Sequence, residues 1–560
     1  MANDRNEYDV VVVGAGPNGL ACASYLSRAG ARVALLERNV ETGGGLVTEE
    51  LSGFKLTYHA TYLLLAEELP PYRDLGLAAE GVAFLRPDVQ VAFLLDEGQT
   101  LLLHRDPERT LASVGELAPS DVERFQVLLD EFRAMCDRIL VPATYAPPLS
   151  PIDQMTAFEE SDALGRRLGE ISDLTPREVI ASYGIDDSRL RGALLYLSSA
   201  FGLDPDEGGV GFLTPLYVCR GMNAALVRGG THQLASTLRR MLEQGGGTVR
   251  TGTAAARWIF DPEGRVAGVG TEDGSELRAR AVVSTLNPVQ TFLDLVRDQD
   301  QARIPADLLE VARAWQWEEV SLFVALRGIV GAPPSYPGRP AAVSRALSVV
   351  MGLRDEDDVL EHFRAVREGG LPDHPIAQGT CPSLFDPLLV PDHVPYGPHH
   401  VLRIECLAPY AGGWEDRSRK AAFGNGLLDL WAKHAPCIAR GNVRARSDWS
   451  PLDIEQHLTT MHRGSIKHGA YLSLQLGYNR PSPDCSAYRT PVAGLYLGGA
   501  SVHPGGMVTF GPGTNAARVV AGDLGLESHW DEPEMVREAR GRGYLGFAED
   551  ADPPHPGPGG

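Results

Sequence analysis

The hydrophobic pattern at the amino terminus predicts a strand, a helix and a second strand. Residues 8–13 are nearly all apolar and β-branched, which is typical of a short buried strand. Many small residues from 20 to 29 suit a helix that packs closely on a sheet, and Gly30 ends that helix. Because residues 32–37 form another apolar run, the chain is expected to open with a βαβ unit.

The α/β pattern returns twice farther along the chain. Residues 229–284 predict a helix, a strand and a hairpin, and residues 494–524 predict a strand, a glycine-rich loop and a helix. The intervening residues 105–140 and 153–203 look helical, and residues 305–450 are mixed. One α/β domain assembled from separate segments would give this order of elements.

Composition and charge narrow the classes of function. With 560 residues, the chain is too long for one core, so two or three joined domains are expected. The 51 basic and 73 acidic residues give a net charge of −22, which argues against nucleic acid as a partner. The polar amino terminus and the lack of any run of ~20 apolar residues predict a cytoplasmic protein, with peripheral membrane contact left open.

Cysteine and histidine spacing predicts neither a redox pair nor a metal site. The seven cysteines are scattered and never form CxxC. The spacing of the 15 histidines suggests no zinc site. Any redox chemistry would therefore belong to an organic cofactor.

A glycine-rich turn joins the first predicted strand to the first helix. Gly14, Gly16 and Gly19 form G-x-G-x-x-G, and Glu37 lies 18 residues beyond Gly19, at the end of the second strand. Such glycines permit a tight turn, the approach of a pyrophosphate and close packing of helix on strand, and the helix N-terminus offers free N–H groups. Glu37 would accept hydrogen bonds from a ribose, which disfavours a 2′-phosphate. The motif predicts a dinucleotide site.

Two further glycine-rich segments indicate which dinucleotide binds. Residues 43–45 follow the second strand, and residues 498–506 and 511–515 connect the last strand to the last helix of the α/β pattern. Backbone N–H groups at both ends of the chain suit an extended cofactor such as FAD, held at its ADP end and its ring end. Since no second G-x-G-x-x-G follows an apolar, strand-like run, an NAD(P)H domain is not expected, and oxygen or a quinone would accept the electrons.

These motifs resemble the FAD-dependent phytoene desaturase (carotenoid desaturase) superfamily, most closely its branch named pyridine nucleotide-disulfide oxidoreductase domain-containing protein 2. The resemblance rests on residues 14–20, 37–38, 43–50, 53–56, 228–234, 264–274 and 495–506. It implies desaturation, in which a C–H hydride passes to flavin N5 and a proton leaves the adjacent carbon. The family often has arginine where this chain has Gly45, so Arg38 is the candidate that helps to neutralise the pyrophosphate.

The combined prediction is an α/β protein with a discontinuous Rossmann-like FAD-binding domain and a mixed α+β substrate domain. The FAD domain would take residues 1–90, 226–300 and 484–530, the substrate domain residues 91–225 and 301–483, and residues 531–560 would form a partly disordered tail. The predicted function is an FAD-dependent dehydrogenase or desaturase of an apolar, carotenoid-like or other lipophilic small molecule. A redox-neutral isomerase, a saturase and a non-catalytic lipid-binding or chaperone protein are the alternatives, and the oligomeric state is left open.

The predicted site residues follow from the same motifs and the resemblance. His503, in the loop expected beside the flavin ring, and His59, expected on the substrate side, are the candidates for proton transfer. Arg463 and His468 are expected to be exposed to solvent. The predicted cofactor-binding residues are Gly14, Gly16, Pro17, Asn18, Gly19, Glu37, Arg38, Gly44, Gly45, Ala256, Gly499, Ala500, Gly506, Met507, Gly513, Thr514 and Asn515.

Overall fold

The strands and helices come from a computed structural model that describes residues 7–64, 69–391 and 398–546. The strands are β1 (Glu7–Val13), β2 (Val33–Leu36), β3 (Thr48–Leu51), β4 (Phe54–Thr57), β5 (Tyr62–Leu64), β6 (Phe84–Leu85), β7 (Val89–Leu94), β8 (Thr100–His104), β9 (Ala224–Val227), β10 (Thr248–Arg250), β11 (Ala255–Phe260), β12 (Val266–Thr271), β13 (Glu276–Ser284), β14 (Val320–Val330), β15 (Ala346–Met351), β16 (Ala377–Thr380), β17 (His399–Pro409), β18 (Val443–Trp449) and β19 (Leu495–Leu497).

The helices are concentrated between β8 and β9. They are α1 (Pro17–Arg28), α2 (Pro70–Asp74), α3 (Pro107–Leu117), α4 (Val122–Met135), α5 (Val141–Ala143), α6 (Pro151–Glu160), α7 (Ala163–Ser172), α8 (Pro176–Ala181), α9 (Ser188–Ser199), α10 (Leu213–Gly221), α11 (His232–Gln244), α12 (Ala306–Ala314), α13 (Glu356–Arg367), α14 (Arg417–His434), α15 (Pro451–His457), α16 (Gly511–Leu524) and α17 (Glu534–Gly541). The helical stretch expected between residues 105 and 203 is therefore confirmed.

The first sheet contains the amino-terminal strand at its centre. Its order is β10-β2-β1-β13-β12-β11, with β19 also paired to β13. β1, β2, β10, β13 and β19 pair in parallel, whereas β11, β12 and β13 pair antiparallel. The apolar residues 10–13 of β1 are buried, and α1 packs against both α11 and α16. The predicted α/β class and the opening βαβ unit are confirmed.

The second sheet has the order β18-β14-β17-β16-β15-β7-β8. The long strands β14 and β17 pair antiparallel along their whole length, and every residue of β17 is buried. Two smaller sheets are β3-β4 and β5-β9-β6, and in the second of them β9 pairs with strands that lie more than 130 residues earlier in the chain. The boundary predicted between residues 90 and 91 falls inside β7, and the division into domains stays a prediction.

Two expectations concern the carboxyl-terminal tail and membrane-spanning helices. Within the tail predicted at residues 531–560, α17 is a helix, and residues 547–560 lie outside the described residues. In the part of the chain that the structure describes, no helix is both long enough and apolar enough to cross a bilayer.

Candidate cofactor and substrate site

A cleft opens at the carboxyl ends of the parallel strands β1, β2 and β13, where open α/β sheets bind ligands. The space between its walls, including the part open to solvent, is about 1390 Å³. Twelve of the predicted cofactor-binding residues line it: Gly14, Gly16, Pro17, Asn18, Gly19, Glu37, Arg38, Gly44, Gly45, Ala500, Gly506 and Met507. Residues from the first 45 positions and from positions 500–507 thus meet around one space, although the sequence separates them widely.

The three glycines of the turn have distinct geometries. Gly14 has φ +96°, a conformation that side chains rarely adopt, and it makes the tight turn after β1. A Cβ on Gly19 would lie 1.8 Å from the Gly14 carbonyl oxygen, so only glycine lets α1 approach the strand this closely. A Cβ on Gly16 would meet no atom within 4 Å and would project into open space. The turn therefore leaves room for a ligand at the N-terminus of α1.

Glu37 follows β2 directly and its side chain is 8% exposed. Its Oε2 accepts a hydrogen bond from the Ala15 N–H and its Oε1 one from the Asn39 N–H, both at 2.9 Å. Burial raises the pKa of Glu37, and these backbone bonds and Arg38 oppose that rise. Arg38 is exposed and donates to Thr459 Oγ1 at 2.8 Å, so it ties this end of the cleft to a distant segment.

Five predicted cofactor-binding residues do not line the cleft. A Cβ on Gly499 would lie 2.3 Å from the Thr285 carbonyl oxygen, and one on Gly513 would lie 2.0 Å from that of Asn18. These glycines allow close backbone packing behind the cleft. Asn515 donates to the Thr144 carbonyl at 3.1 Å and to the Tyr488 hydroxyl at 2.7 Å. The other two are Thr514, which is fully buried, and Ala256, which is exposed on β11.

The segment before α16 combines unusual backbone conformations with the cleft wall. Met507, Val508 and Phe510 have φ values of 70°, 55° and 60°, which are rare for non-glycine residues and costly for a β-branched one. The Tyr471 hydroxyl accepts from the Gly506 N–H at 2.9 Å and supports this loop. Met507 and Val508 line the cleft, so the strained backbone is concentrated where a ligand would lie.

A second cavity, which we call the substrate cavity, adjoins the cleft. The space between its walls, including the part open to solvent, is about 750 Å³, and it shares five wall residues with the cleft: Gly45, Met461, Ile466, Met507 and Val508. Most of its other walls are apolar, formed by Ala60, Leu63, Leu64, Phe201, Leu322, Val324 and Ile454, with Tyr58, His59, Thr61, Tyr62, Arg403 and Glu405 as its polar members. An apolar molecule in this cavity would therefore lie directly against whatever fills the cleft.

A buried ion pair supports one wall of the substrate cavity. Arg403 and Glu405 occupy alternate positions of β17 and therefore share one face of the sheet. The Arg403 side chain donates to the carbonyls of Thr57, Tyr58 and His59 at 2.6–2.9 Å, and both its Nε and Nη2 bind Glu405. All five N–H groups of the guanidinium are used, and the pair has no net charge.

Comparisons with known proteins add to this geometry. Residues 18–292 match the family model described as flavin containing amine oxidoreductase. One of the subunits of limonene dehydrogenase from Castellaniella defragrans is 40% identical over 554 residues, which cover 97% of this chain and 100% of that protein. Pyridine nucleotide-disulfide oxidoreductase domain-containing protein 2 of Mus musculus is 31% identical, over 93% of this chain and 94% of that protein.

The chain belongs to the flavin-containing amine oxidoreductase family. It is an FAD-dependent oxidoreductase, so the predicted resemblance, the predicted cofactor and the prediction of an enzyme are confirmed. Among solved structures, cyclohexylamine oxidase from Brevibacterium oxydans is 17% identical with a TM-score of 0.55, over 92% of this chain and 99% of that chain, and it shows the same fold.

The cleft of this flavoprotein has polar atoms that fit a polar cofactor. Four cleft-lining side chains have a buried atom without a hydrogen-bond partner among the residues described: Asn18 Oδ1, Gln290 Oε1, His457 Nε2 and His468 Nδ1. Buried polar atoms are rarely left unsatisfied in folded proteins. These atoms, together with the open space at Gly16, fit FAD as the group that completes the site.

The position of His468 corrects the expectation that it is exposed to solvent. Its ring lies in the cleft wall, and burial, followed by the charge of Arg480, lowers its pKa to about 3. Arg463 is partly exposed and pairs with Glu319 at 3.1 Å. Sequence reasoning also missed residues 457–461, which line the cleft but carry no glycine motif. The hydrogen bond from Arg38 to Thr459 connects them to the recognised motifs.

The two predicted catalytic histidines lie in different places. His503 lines neither the cleft nor the substrate cavity; its Nε2 donates to the Ala143 carbonyl at 2.8 Å, and burial lowers its pKa to about 4. His59 lines the substrate cavity, and its buried Nε2 has no partner among the described residues. Burial, followed by His457 and Arg403, lowers the pKa of His59 to about 3, so its ring is neutral. The geometry therefore supports His59 rather than His503 for contact with a substrate.

Proposed function

We propose that this flavoprotein is a dehydrogenase that removes a hydride and a proton from adjacent carbons of an apolar small molecule. The observation that carries the proposal is the junction of the apolar substrate cavity with the cofactor cleft, where Gly45, Met461, Ile466, Met507 and Val508 belong to both walls. When bound, FAD supplies the two-electron acceptor for the hydride. The similarity to limonene dehydrogenase supports a cyclic hydrocarbon skeleton for the substrate.

The chain's own residues would hold the cofactor. The N-terminus of α1, opened by Gly16, would bind the pyrophosphate through backbone N–H groups and the positive end of the helix dipole. Glu37 keeps an acceptor site on each oxygen beyond its two backbone bonds, which suits ribose hydroxyls. Arg38 would add the positive charge on the cleft wall.

His59 is the residue that we propose for receiving the substrate proton. Its neutral ring and unpartnered Nε2 leave an acceptor position beside the cavity. A pKa of about 3 makes it a weak base. Because a C–H bond next to a carbon that has lost hydride is far more acidic than in the intact substrate, a weak base is sufficient for this step.

Anaerobic mixing of the holoprotein with limonene tests the proposal. Bleaching of the oxidised flavin absorbance, with a desaturated or otherwise oxidised product in equal amount, is the expected result. Product formation without net bleaching would favour the redox-neutral isomerase, and an unchanged spectrum and substrate would refute the proposal for this substrate. His59→Gln should retain FAD and bleach at least tenfold more slowly, since acid–base catalysis contributes roughly 10²–10⁴-fold.

The electron acceptor and the place of action are part of the same proposal. We propose oxygen or a quinone as acceptor, and contact with a membrane surface as the route by which a lipophilic substrate or quinone arrives. Reoxidation of the bleached protein by air and by a soluble quinone, compared by stopped flow, distinguishes the acceptors. Co-sedimentation with neutral and with cationic vesicles tests the contact, since a chain of net charge −22 is repelled by anionic lipid.

A further inference from the structure

A small chamber with mostly apolar walls and a few polar groups adjoins the substrate cavity, away from the flavin cleft. Phe201, Leu322 and Glu405 belong to the walls of both the cavity and the chamber. None of the residues that line the chamber also lines the cleft. A molecule that reacts at the junction with the cleft and extends past Phe201, Leu322 and Glu405 would place its far end in this chamber.

The polar groups of the chamber include one hydroxyl without a partner. Ser199, the last residue of α9, is 1% exposed, and its Oγ has no hydrogen bond among the described residues. Tyr196, one turn earlier, lies beside Glu405; burial, followed by the charge of Glu405, raises its pKa far above the ordinary value, so its O–H stays protonated. A buried hydroxyl without a partner destabilises the fold, and a hydrogen bond with a ligand oxygen would remove that penalty.

The other polar groups of the chamber are already held in place. Gln378 donates one amide N–H to the Tyr62 hydroxyl at 2.6 Å and the other to Ser348 Oγ at 3.2 Å. Tyr62 in turn donates to Glu405 Oε2 at 3.3 Å, and the other carboxylate oxygen binds Arg403. Since Arg403 compensates the charge of Glu405, the network offers hydrogen bonds but no free charge.

The size of the chamber limits what enters it. The space available to the centres of water-sized groups is about 20 Å³, which suits one such group. A hydroxyl or carbonyl oxygen fits this space. A buried ammonium or carboxylate would lack a counter-charge, which is costly.

We propose that the substrate is an apolar molecule with one neutral oxygen function, a hydroxyl or a carbonyl, whose oxygen binds in this chamber beside Ser199. The inference rests on the proposed function, because it assigns one end of the molecule to the substrate cavity. The oxygen marks the end of the substrate that does not react, and the chamber fixes which carbons lie at the cleft.

Three compounds with one skeleton test the inference: menthol, p-menthane and menthylamine. Each is titrated anaerobically into the holoprotein, and dissociation constants are taken from perturbation of the flavin absorbance and from calorimetry. Menthol should bind most tightly, and Ser199→Ala should weaken it about 3- to 10-fold, the loss of one neutral hydrogen bond. Binding of p-menthane should not weaken in this variant.

Ser198→Ala is the matched control. Ser198 is the neighbouring buried serine of α9, but its Oγ donates to the Leu194 carbonyl at 3.1 Å and it does not line the chamber. The ratio of the menthol and p-menthane dissociation constants should stay at its wild-type value in this variant. Folding is not at risk in Ser199→Ala, because the change removes an unsatisfied group, and an unchanged or higher melting temperature verifies this.

The outcomes separate the two proposals. The same ratio of menthol to p-menthane binding in wild type and Ser199→Ala would show that the chamber holds only water, and would overturn the inference while the apolar cavity stands. Tightest binding of menthylamine would overturn it in favour of a cationic substrate. If none of the three compounds binds, the assignment of the cavity to an apolar substrate fails, and the inference fails with it.

Discussion

Replacing Glu37 by glutamine should reduce the preference of this flavoprotein for ligands whose adenosine ribose carries the 2′-hydroxyl. The Glu37 carboxylate accepts from the Ala15 and Asn39 N–H groups and keeps one acceptor site on each oxygen for the ribose. A hydrogen bond to a charged acceptor contributes about 1.5–3 kcal/mol and one to a neutral acceptor about 0.5–1.5 kcal/mol. The difference, about 1 kcal/mol or more, corresponds to roughly a fivefold change in affinity.

The assay compares two ligands on the apoprotein. ADP and its analogue lacking the ribose 2′-hydroxyl are titrated by calorimetry into wild type and Glu37→Gln. Wild type should prefer ADP about 10-fold or more, the value of one charge-assisted bond, and the variant should lose about fivefold of that preference. The free energy of unfolding of the variant should also be lower by about 1–3 kcal/mol. The glutamine NH2 group would face either the Ala15 or the Asn39 N–H, which would lose its acceptor.

A second acid of the cleft wall provides the control. Glu272 is exposed and lines the same cleft, so Glu272→Gln removes the same charge at another position. It should change the affinity for both ligands equally and leave their ratio unchanged. Equal preferences for ADP in wild type and Glu37→Gln would refute the assignment of Glu37 to the ribose.

Three further predictions follow from individual contacts. Gly16→Ala should fold normally yet bind less FAD. Gly19→Ala should bind less FAD and also melt several degrees lower, because its Cβ would lie 1.8 Å from a carbonyl oxygen. Equal melting temperatures and equal flavin contents of the two variants would contradict these roles. Arg403→Met should lose about 3–5 kcal/mol in denaturant titration, because Glu405 and three carbonyls lose their donor; a loss below about 1 kcal/mol would contradict the network. Burial lowers the pKa of His362 to about 4, so below pH 6.5 the unfolded chain binds a proton that the folded chain does not. Stability should therefore fall between pH 6.5 and 4 by up to about 1.4 kcal/mol per pH unit on account of this group, and His362→Gln should show a slope that is shallower by that amount.

The parts of the site that the sequence predicts lie within short stretches of chain. The strand, turn and helix from β1 to α1, and Glu37 after β2, depend on local spacing and on glycines whose roles follow from backbone geometry. The carboxyl-terminal glycine segment is predicted less accurately. Ala500 and Gly506 line the cleft, whereas Gly499 and Gly513 are needed because backbones pack closely behind it. A glycine needed for packing and one needed for a ligand give the same sequence pattern.

The substrate cavity has no local signal of this kind, because its walls come from segments far apart in the sequence. Residues of β17 are buried throughout, so an alternating pattern does not reveal that Arg403 and Glu405 face a cavity. His59 is found through a family resemblance, and the sequence around Ser199 predicts only a helix. Only the fold shows that Ser199 and Glu405 share one chamber.

The Arg403 guanidinium connects the two halves of the site. It fixes the carbonyls of residues 57–59, and the Ala60 N–H donates to the Gly45 carbonyl at 3.0 Å. Gly45 borders both the cofactor cleft and the substrate cavity. A side chain on the second sheet therefore sets the position of His59 and of the junction between the cofactor cleft and the substrate cavity. Since the remaining Arg403 donors hold Glu405 in the chamber wall, the same residue connects the chamber with the junction.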